Sequence, residues 1–280
     1  MNNDPRNSRG LPILNVRNLI KVFSQRSLFF EKTKVPAVDN VDMALFVART
    51  LALVGETGSG KSTLARCLVR LEEATSGEIW FDGMDLRKLA GEKLRATRRH
   101  IQLIFQEPMS ALDPRFSALE IVSEPLVLAA QGSERNVEAR ALELMEDVGL
   151  PRAWARRGSH QFSGGQKQRL ALARALAADP KVIIMDEALS GLDLSVQAQM
   201  INLMLDIQAK HLVAYLFITH DLSLLDAVAD EIAVMKKGSI VEHSEATQLL
   251  NHPRHPYTQS LLAMMRSGNV PLVEETVATT

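Results

Sequence analysis

The sequence has little of what marks secreted, disulfide-linked or membrane-spanning proteins. Its single cysteine, Cys67, excludes an internal disulfide and a multi-thiolate metal or iron–sulfur site, and suits a reducing compartment. The longest apolar stretches, such as 212–218, fall far short of the roughly 20 residues that span a bilayer. Residues 1–10 are polar and lack the apolar core of a signal peptide, so we expect no secretory leader.

An excess of charge of one sign is also missing. The 32 basic and 33 acidic side chains leave a net charge of -1, so no large positive field exists to hold nucleic acid, and any anion site must be local. The 46% hydrophobic and 23% charged fractions are typical of a soluble globular protein. A length of 280 residues fits one large domain, or one domain with an attachment.

Strand and helix patterns alternate along much of the chain. Near the N-terminus, β-rich segments predict a strand layer at 13–16, 41–46 and 50–54. Later, strands and helices are predicted in turn at 182–185, 196–210, 213–219, 222–229 and 231–236. This alternation predicts an α/β protein with a largely parallel central sheet. A helical insertion is predicted at about 109–162, and residues 251–280 are predicted to form a C-terminal extension with a short helix at 258–265.

A glycine-rich turn between a strand and a helix fits the phosphate-loop pattern G-x-x-x-x-G-K-[ST]. The residues predicted to bind nucleotide here are Gly55, Glu56, Thr57, Gly58, Ser59, Gly60, Lys61, Ser62 and Thr63. Glycines let the backbone N–H groups curl around phosphate oxygens, and the helix start adds positive partial charge. Lys61 is expected to reach the β- and γ-phosphates, and the Ser62 hydroxyl to ligate Mg²⁺. The alternative is a glycine-rich turn with a stray lysine.

Two acidic residues, Asp186 and Glu187, end the apolar run that starts at 182. A buried parallel strand delivers such side chains at its C-terminal edge. Asp186 is predicted to hold Mg²⁺ through water, and Glu187 to orient the attacking water or accept its proton. Alone, two acids after a strand are more often a helix cap or a turn, but beside a phosphate loop they indicate a hydrolytic site.

A second helix start able to bind phosphate follows Phe162. It consists of Ser163, Gly164, Gly165 and Gln166, and its free N–H groups offer another anion site. The alternative is a capped helix after a flexible turn. Sequence separation alone leaves open whether this site and the phosphate loop close on one nucleotide within one chain or across two chains.

The phosphate loop, the Ser163 segment and the strand ending at Asp186 and Glu187, in this order, resemble the ATP-binding subunit of ABC transporters over roughly residues 11–250. The resemblance implies a P-loop NTPase fold: a RecA-like parallel sheet, an antiparallel β subdomain and an α-helical subdomain. It also implies ATP hydrolysis with ATP and Mg²⁺ as cofactors. By their place in the family order, further residues resemble the Q-loop glutamine (Gln106), the D-loop (190–193), the switch histidine (His220) and the adenine-stacking aromatic (Phe23). Each also has a structural alternative, such as a core role for Phe23.

The resemblance further implies that two cassettes pair head to tail, with each ATP between the phosphate loop of one and the Ser163 segment of the other. His220 would contact the γ-phosphate, and Gln106 would sense Mg²⁺ and the attacking water. The implied partners are two transmembrane permease subunits, a second ATP-binding subunit that is either a copy or a related chain, and indirectly a substrate-binding protein. The resemblance implies a peripheral subunit at the cytoplasmic face of the inner membrane. It implies no nucleic-acid partner.

The tail narrows the resemblance to the dipeptide, oligopeptide and nickel importers, because residues 252–259 and 102–114 are similar to segments of that subgroup. Some members carry a cysteine cluster in the tail, which this chain lacks. Metal binding by His252 and His255 is disfavoured, since prolines flank both and no further ligand lies nearby in sequence. The cargo stays open between peptides, nickel and sugar-related oligomers.

Three residues depart from the family pattern: Phe162 replaces leucine, Ala188 replaces proline and Gly191 replaces alanine. We expect Ala188 and Gly191 to loosen the loop that holds Glu187, which affects the rate of hydrolysis but not the capacity for it. The sequence also carries Phe29 and Phe30, which either form a contact surface or cover the nearby sheet.

Two other functions fit parts of the sequence. A soluble ABC ATPase acting on DNA or ribosomes usually has a long coiled-coil insertion or tandem cassettes, whereas this chain has one cassette, no heptad run and no basic excess. A phosphotransferase would use the phosphate loop alone, and the Ser163 segment argues against it.

We predict that Lys61→Ala abolishes nucleotide binding. The substitution removes the charge that meets the β- and γ-phosphates in a loop that otherwise offers only backbone dipoles. Equilibrium binding of ATP to the folded variant tests this, and an affinity equal to that of the parent would contradict it.

Overall fold

The structure is a computed structural model, and it describes residues 10–24, 34–105, 112–129 and 134–266. Gln106, Phe29 and Phe30 lie outside these ranges, as do 109–111 and 130–133 of the predicted insertion and 267–280 of the predicted extension. The strands are β1 (Leu14–Ser24), β2 (Lys34–Leu45), β3 (Thr50–Val54), β4 (Ser76–Phe81), β5 (Met84–Asp85), β6 (Ile101–Ile104), β7 (Val182–Asp186), β8 (Ala214–Thr219), β9 (Glu231–Lys236) and β10 (Ser239–Glu245). The helices are α1 (Lys61–Leu68), α2 (Gly91–Arg98), α3 (Ala118–Ala129), α4 (Glu134–Asp147), α5 (Gly164–Leu176), α6 (Leu194–His211), α7 (Leu225–Val228), α8 (Ala246–Asn251) and α9 (Pro256–Arg266).

The strands form two sheets. The six-stranded sheet has the order β10-β9-β3-β8-β7-β6, and all its neighbouring pairs are parallel except β10 with β9. The four-stranded sheet has the order β2-β1-β4-β5 and is antiparallel. This arrangement confirms the predicted α/β architecture with a central parallel sheet and a separate antiparallel layer.

The central strands are buried on both faces, as expected for a parallel sheet covered on each side. Successive side chains of β7 point to opposite faces, so Ile183 and Met185 join one hydrophobic cluster and Val182 and Ile184 the other. The first cluster includes residues of α3, α4, α5 and α6, and the second includes α1 and the antiparallel sheet. The sheet therefore separates a helical layer from the layer that carries the phosphate loop helix.

Several elements differ from the sequence expectation. β1 and β2 are longer than predicted, because register shifts and the left-handed residues Asn18 and Asn40 let pairing continue through irregular positions. The predicted helix at 222–229 is a 3₁₀ turn at 222–224 followed by the short α7. Asp221 caps this turn, and the extended backbone of Ala229 ends α7. β10 was not predicted because its sequence, SIVEHSE, is largely polar and lies at the sheet edge.

Helices are present within the predicted insertion and the predicted extension. α3 and α4 lie within the predicted insertion, whose boundaries at about 109 and 162 stay predictions. α9 includes the predicted helix at 258–265 and begins two residues earlier, at Pro256, because proline fits the first position of a helix. None of the described helices is long and apolar enough to cross a membrane.

Candidate functional site

The phosphate loop joins β3 to α1, and two of its glycines lie where a side chain would clash with neighbouring backbone. A side chain on Gly60 would place a Cβ 2.1 Å from the Ala37 carbonyl oxygen, and the φ of Gly60 is 108°. A Cβ on Gly55 would lie 2.1 Å from the Met235 carbonyl oxygen. The loop is therefore packed tightly against β2 and β9, and glycine is needed at both positions.

The Lys61 side chain is folded into this loop. Its ammonium donates hydrogen bonds to the carbonyl oxygens of Gly55 at 2.8 Å and Glu56 at 2.9 Å, and the residue is only 4% exposed. Burial lowers the pKa of Lys61, while the negative charges of Glu187, Asp186 and Glu56 act in the opposite direction. A buried cation thus lies at the first turn of α1, where the helix also presents free N–H groups.

At the end of β7, Asp186 faces the same helix. Its Oδ1 accepts a hydrogen bond of 3.0 Å from the Ser62 hydroxyl, and the residue is 5% exposed. Burial raises the pKa of Asp186, the Ser62 hydrogen bond lowers it and Glu187 raises it further. A hydroxyl and a carboxylate are the hard oxygen donors that Mg²⁺ prefers, so the residues present fit this ion.

Glu187 has an unusual backbone conformation, with a φ of 50° in the left-handed region. Its N–H donates to the Ile218 carbonyl at 3.0 Å, and its own carbonyl accepts from the Ser190 N–H at 3.0 Å and from the Ser190 hydroxyl at 2.7 Å. These bonds hold Glu187 in this strained backbone conformation.

The Glu187 carboxylate lies beside the predicted switch histidine. Its Oε2 is 3.3 Å from Nδ1 of His220, which follows β8. Both residues line a cavity of about 230 Å³ that Ser190, Gly191 and Thr219 also border. The structure therefore brings together two residues that lie far apart in the sequence and were predicted to act at one site.

The Ser163 segment forms a capped helix start. The Ser163 hydroxyl accepts from the Gln166 N–H at 3.4 Å, and the Gln166 side chain accepts from the Ser163 N–H at 2.9 Å. Ser163 and Gly164 are exposed, whereas Gly165 and Gln166 are half-buried. The helix α5 belongs to the helical layer and packs on α3, α4 and α6, whereas α1 packs on β2 and β7. The two helix starts predicted to bind phosphate thus belong to different layers of the chain.

The remaining predicted nucleotide contacts are distributed around the loop. Glu56, Thr57 and Gly58 are exposed, Thr63 is half-buried and Ser59 is buried. Phe23 is 42% exposed near the end of β1, and the Lys21 ammonium lies 4.6 Å from its ring centroid. An exposed ring suits stacking better than the core role that the sequence left open for Phe23, although Lys21 covers one face.

The loop after Glu187 is held by two glutamines that the sequence analysis missed. Gln168 donates to the Ala188 carbonyl, and Gln197 donates to the Leu189 carbonyl at 3.1 Å. Ala188 itself is fully buried. These contacts oppose the loosening expected from Ala188, and only long-range packing reveals them. Gly191 adopts a φ of 77°, which glycine accommodates without strain.

The third departure from the family pattern, Phe162, is a core residue. It is 4% exposed, and its ring packs edge-to-face on Trp154 with centroids 6.0 Å apart. The larger ring thus anchors the segment before Ser163 in the helical layer.

Comparison with known proteins identifies the class. Residues 38–190, more than half of the chain, match the ABC transporter family, so the chain belongs to that family. The glutathione import ATP-binding protein GsiA of Shigella dysenteriae serotype 1 is 47% identical over 256 residues, which are 91% of this chain and 41% of that protein. GsiA of Salmonella typhimurium is 46% identical over the same length. The chain spans about two fifths of the length of these curated relatives.

Solved structures agree with this assignment. The ATP-binding cassette MJ0796, solved as a dimer in a post-hydrolysis state with ADP and Pi, has a TM-score of 0.74 and 28% identity, covering 83% of this chain and 98% of that one. The protein cbiO1 of Clostridium perfringens, part of the ABC transporter complex cbiONQ, has a TM-score of 0.76 and 25% identity, covering 87% and 92%. The predicted ABC transporter family and the P-loop fold are confirmed. The roles of single residues stay predictions.

We predict that Asp186→Asn stabilises the protein at pH 7 in the absence of Mg²⁺. Because the folded state raises the pKa of Asp186 above its ordinary 3.8, the ionised carboxylate destabilises the fold at neutral pH. Asparagine keeps an acceptor for Ser62 without the charge. The gain in melting temperature should shrink as the pH falls through the raised pKa, and it should vanish only below 3.8, where the carboxyl is protonated in both states.

Thermal unfolding of the parent and the variant from pH 7 down to pH 4 measures this gain. Asp226→Asn is the control, since Asp226 is exposed on α7 and should show no such pH-dependent gain. An Asp186→Asn variant that melts below the parent at pH 7 would show that the carboxylate stabilises the fold.

Proposed function

We propose that this chain hydrolyses ATP at the edge of the parallel sheet to drive the import of peptide-type substrates. The observation that carries the proposal is the placement of Glu187 beside His220, at the end of the strand whose Asp186 is bonded to the phosphate-loop residue Ser62. Glu187 can accept a proton, and His220 is its polar partner. The oxygens of Ser62 and Asp186 suit a cation, and all four residues lie next to the predicted phosphate loop.

The residues divide the chemistry among themselves. Lys61 and the first N–H groups of α1 bind the β- and γ-phosphates. Ser62 and Asp186 hold Mg²⁺, which neutralises charge on the phosphates when bound. Glu187 accepts the proton of the attacking water, and His220 orients the Glu187 carboxylate and contacts the γ-phosphate. Gln106, outside the described residues, is proposed to sense the ion and the water.

A second cassette completes the site in this proposal. Ser163 and Gly164 expose a helix start that belongs to a different layer from the phosphate loop. The similar cassette MJ0796 was solved as a dimer, which supports a shared site. We propose that the opposing Ser163 segment is supplied by a second copy or by a related chain.

The transport role rests on the relatives. GsiA proteins are named for the import of glutathione, a tripeptide, and they match 91% of this chain. We propose a peripheral position on the cytoplasmic face of the inner membrane, bound to two transmembrane permease subunits that receive substrate from a binding protein. A role on DNA or ribosomes is not favoured by these relatives or by the balanced charge.

Purification of the tagged chain from detergent-solubilised membranes of its native host tests the transport role. We expect two membrane-spanning proteins to copurify with it in fixed proportion. Recovery with ribosomes or nucleic acid, and without membrane proteins, would contradict the proposal.

We predict that Glu187→Gln binds ATP but hydrolyses it about 100- to 10,000-fold more slowly. The amide keeps the shape of the side chain but cannot accept the proton, whereas Lys61, Ser62, Asp186 and Ser163 remain. The variant should accumulate as an ATP-bound dimer. ATPase rate, nucleotide binding and sedimentation measure the three consequences.

The control is Glu138→Gln, because Glu138 lies exposed on α4 in the helical layer and should leave all three readouts unchanged. A purely structural role for Glu187 predicts a lower melting temperature with near-normal activity per folded molecule. Hydrolysis by the folded Glu187→Gln variant at close to the parent rate would exclude Glu187 as the general base.

A further inference from the structure

The C-terminal helix α9 packs directly behind the phosphate loop. Tyr257 is 8% exposed and Leu262 is 6% exposed, and both belong to one hydrophobic cluster with Ala52 and Val54 of β3. β3 is the strand that leads into the phosphate loop. The extension is therefore part of the packing that supports this loop.

Tyr257 reaches the loop itself. Its hydroxyl accepts a hydrogen bond of 3.3 Å from the Glu56 N–H. The Glu56 carbonyl in turn accepts the 2.9 Å hydrogen bond from the Lys61 ammonium. Glu56 thus connects Tyr257 to the cation that meets the phosphates. Burial raises the pKa of Tyr257, so its hydroxyl stays protonated at neutral pH.

The position of Tyr257 is fixed from three sides. The Glu242 carboxylate of β10 accepts the N–H groups of Arg254 at 2.8 Å and His255 at 3.0 Å, just before α9 begins. The His255 ring accepts the Tyr257 N–H at 3.1 Å. The Lys236 ammonium lies 4.3 Å from the centroid of the Tyr257 ring. These contacts leave the hydroxyl little freedom to move away from Glu56.

A second contact holds the other end of the same loop segment. The Gly238 N–H, in the turn between β9 and β10, donates to the Ser59 carbonyl at 2.8 Å. Tyr257 and Gly238 therefore hold Glu56, which begins the exposed part of the loop, and the buried Ser59, which follows that part. Neither contact uses the first N–H groups of α1, which remain available to an anion.

We propose that Tyr257 is a positioning residue for nucleotide binding: the C-terminal extension uses its hydroxyl to hold the phosphate loop in the conformation that binds ATP. The inference rests on nucleotide binding at this loop. A loop already held in its binding conformation loses less conformational freedom when the ligand arrives, so its affinity is higher. Removal of the hydroxyl frees Glu56 and, through it, the Lys61 contact.

The test compares Tyr257→Phe with Tyr215→Phe in the full-length chain. The chain has two tyrosines, and the buried hydroxyl of Tyr215 has no hydrogen-bond partner among the described residues, so its loss is the matched control. Phenylalanine at 257 keeps the packing and the ring face below Lys236. We expect Tyr257→Phe to weaken ATP binding and raise the KM of hydrolysis by about 2- to 10-fold, the range of one neutral hydrogen bond. We expect kcat to stay within about twofold of the parent.

Hydrogen exchange at the Glu56 amide, measured without nucleotide, is the second readout. It should be faster in Tyr257→Phe and unchanged in Tyr215→Phe. Parent-like affinity and exchange in Tyr257→Phe would overturn the proposal, as would an equal loss of affinity in both variants. If the parent itself fails to bind ATP, the proposed function fails. The proposal that Tyr257 positions this loop for ATP then fails with it. In that case the exchange rate reports only on the hydrogen bond between Tyr257 and Glu56.

Discussion

The parallel register of β3, β8 and β7 is the constraint on which the candidate site depends. Val54 pairs with Thr219, and Asp186 pairs with Ile218, so the three strands end at one edge of the sheet. Each strand is followed immediately by a predicted part of the site: the phosphate loop follows β3, Glu187 follows β7 and His220 follows β8. The hydrogen bond from the Glu187 N–H to the Ile218 carbonyl extends this alignment one residue beyond the strand.

This edge concentrates buried charges that the fold alone would not favour. Lys61 and Asp186 are nearly inaccessible to solvent. Burial lowers the pKa of Lys61 and raises the pKa of Asp186, so it favours the neutral form of each side chain. Carbonyl oxygens of the loop hold the ammonium, and the Ser62 hydroxyl holds the carboxylate. The strained φ of Glu187 adds to this cost and is retained by the contacts with Ser190 and Ile218. Such a collection of costly groups in one place is typical of a functional site.

The parts of the site predicted from sequence are those written in continuous segments. The phosphate loop, the Ser163 segment and the Asp186–Glu187 pair each combine residue type and spacing within a few positions. The role of His220 followed only from family order. Its contact with Glu187 and the contacts of Gln168, Gln197 and Tyr257 were not predicted at all. These contacts join elements far apart in the chain, and a glutamine or tyrosine in an amphipathic helix carries no local signal of its partner. Strand ends near Asn18 and Asn40 were missed because irregular pairing interrupts the alternating pattern.

The most direct measurement is an experimental structure of the full-length chain with a non-hydrolysable ATP analogue and Mg²⁺. The account predicts the phosphates against the loop between Gly55 and Ser62, the ion next to Ser62 and Asp186, and the Glu187 carboxylate facing the γ-phosphate. It also predicts the Ser163 segment of a second cassette on the other side of the nucleotide. A nucleotide bound elsewhere, or one enclosed by the Ser163 segment of its own chain, would contradict the account.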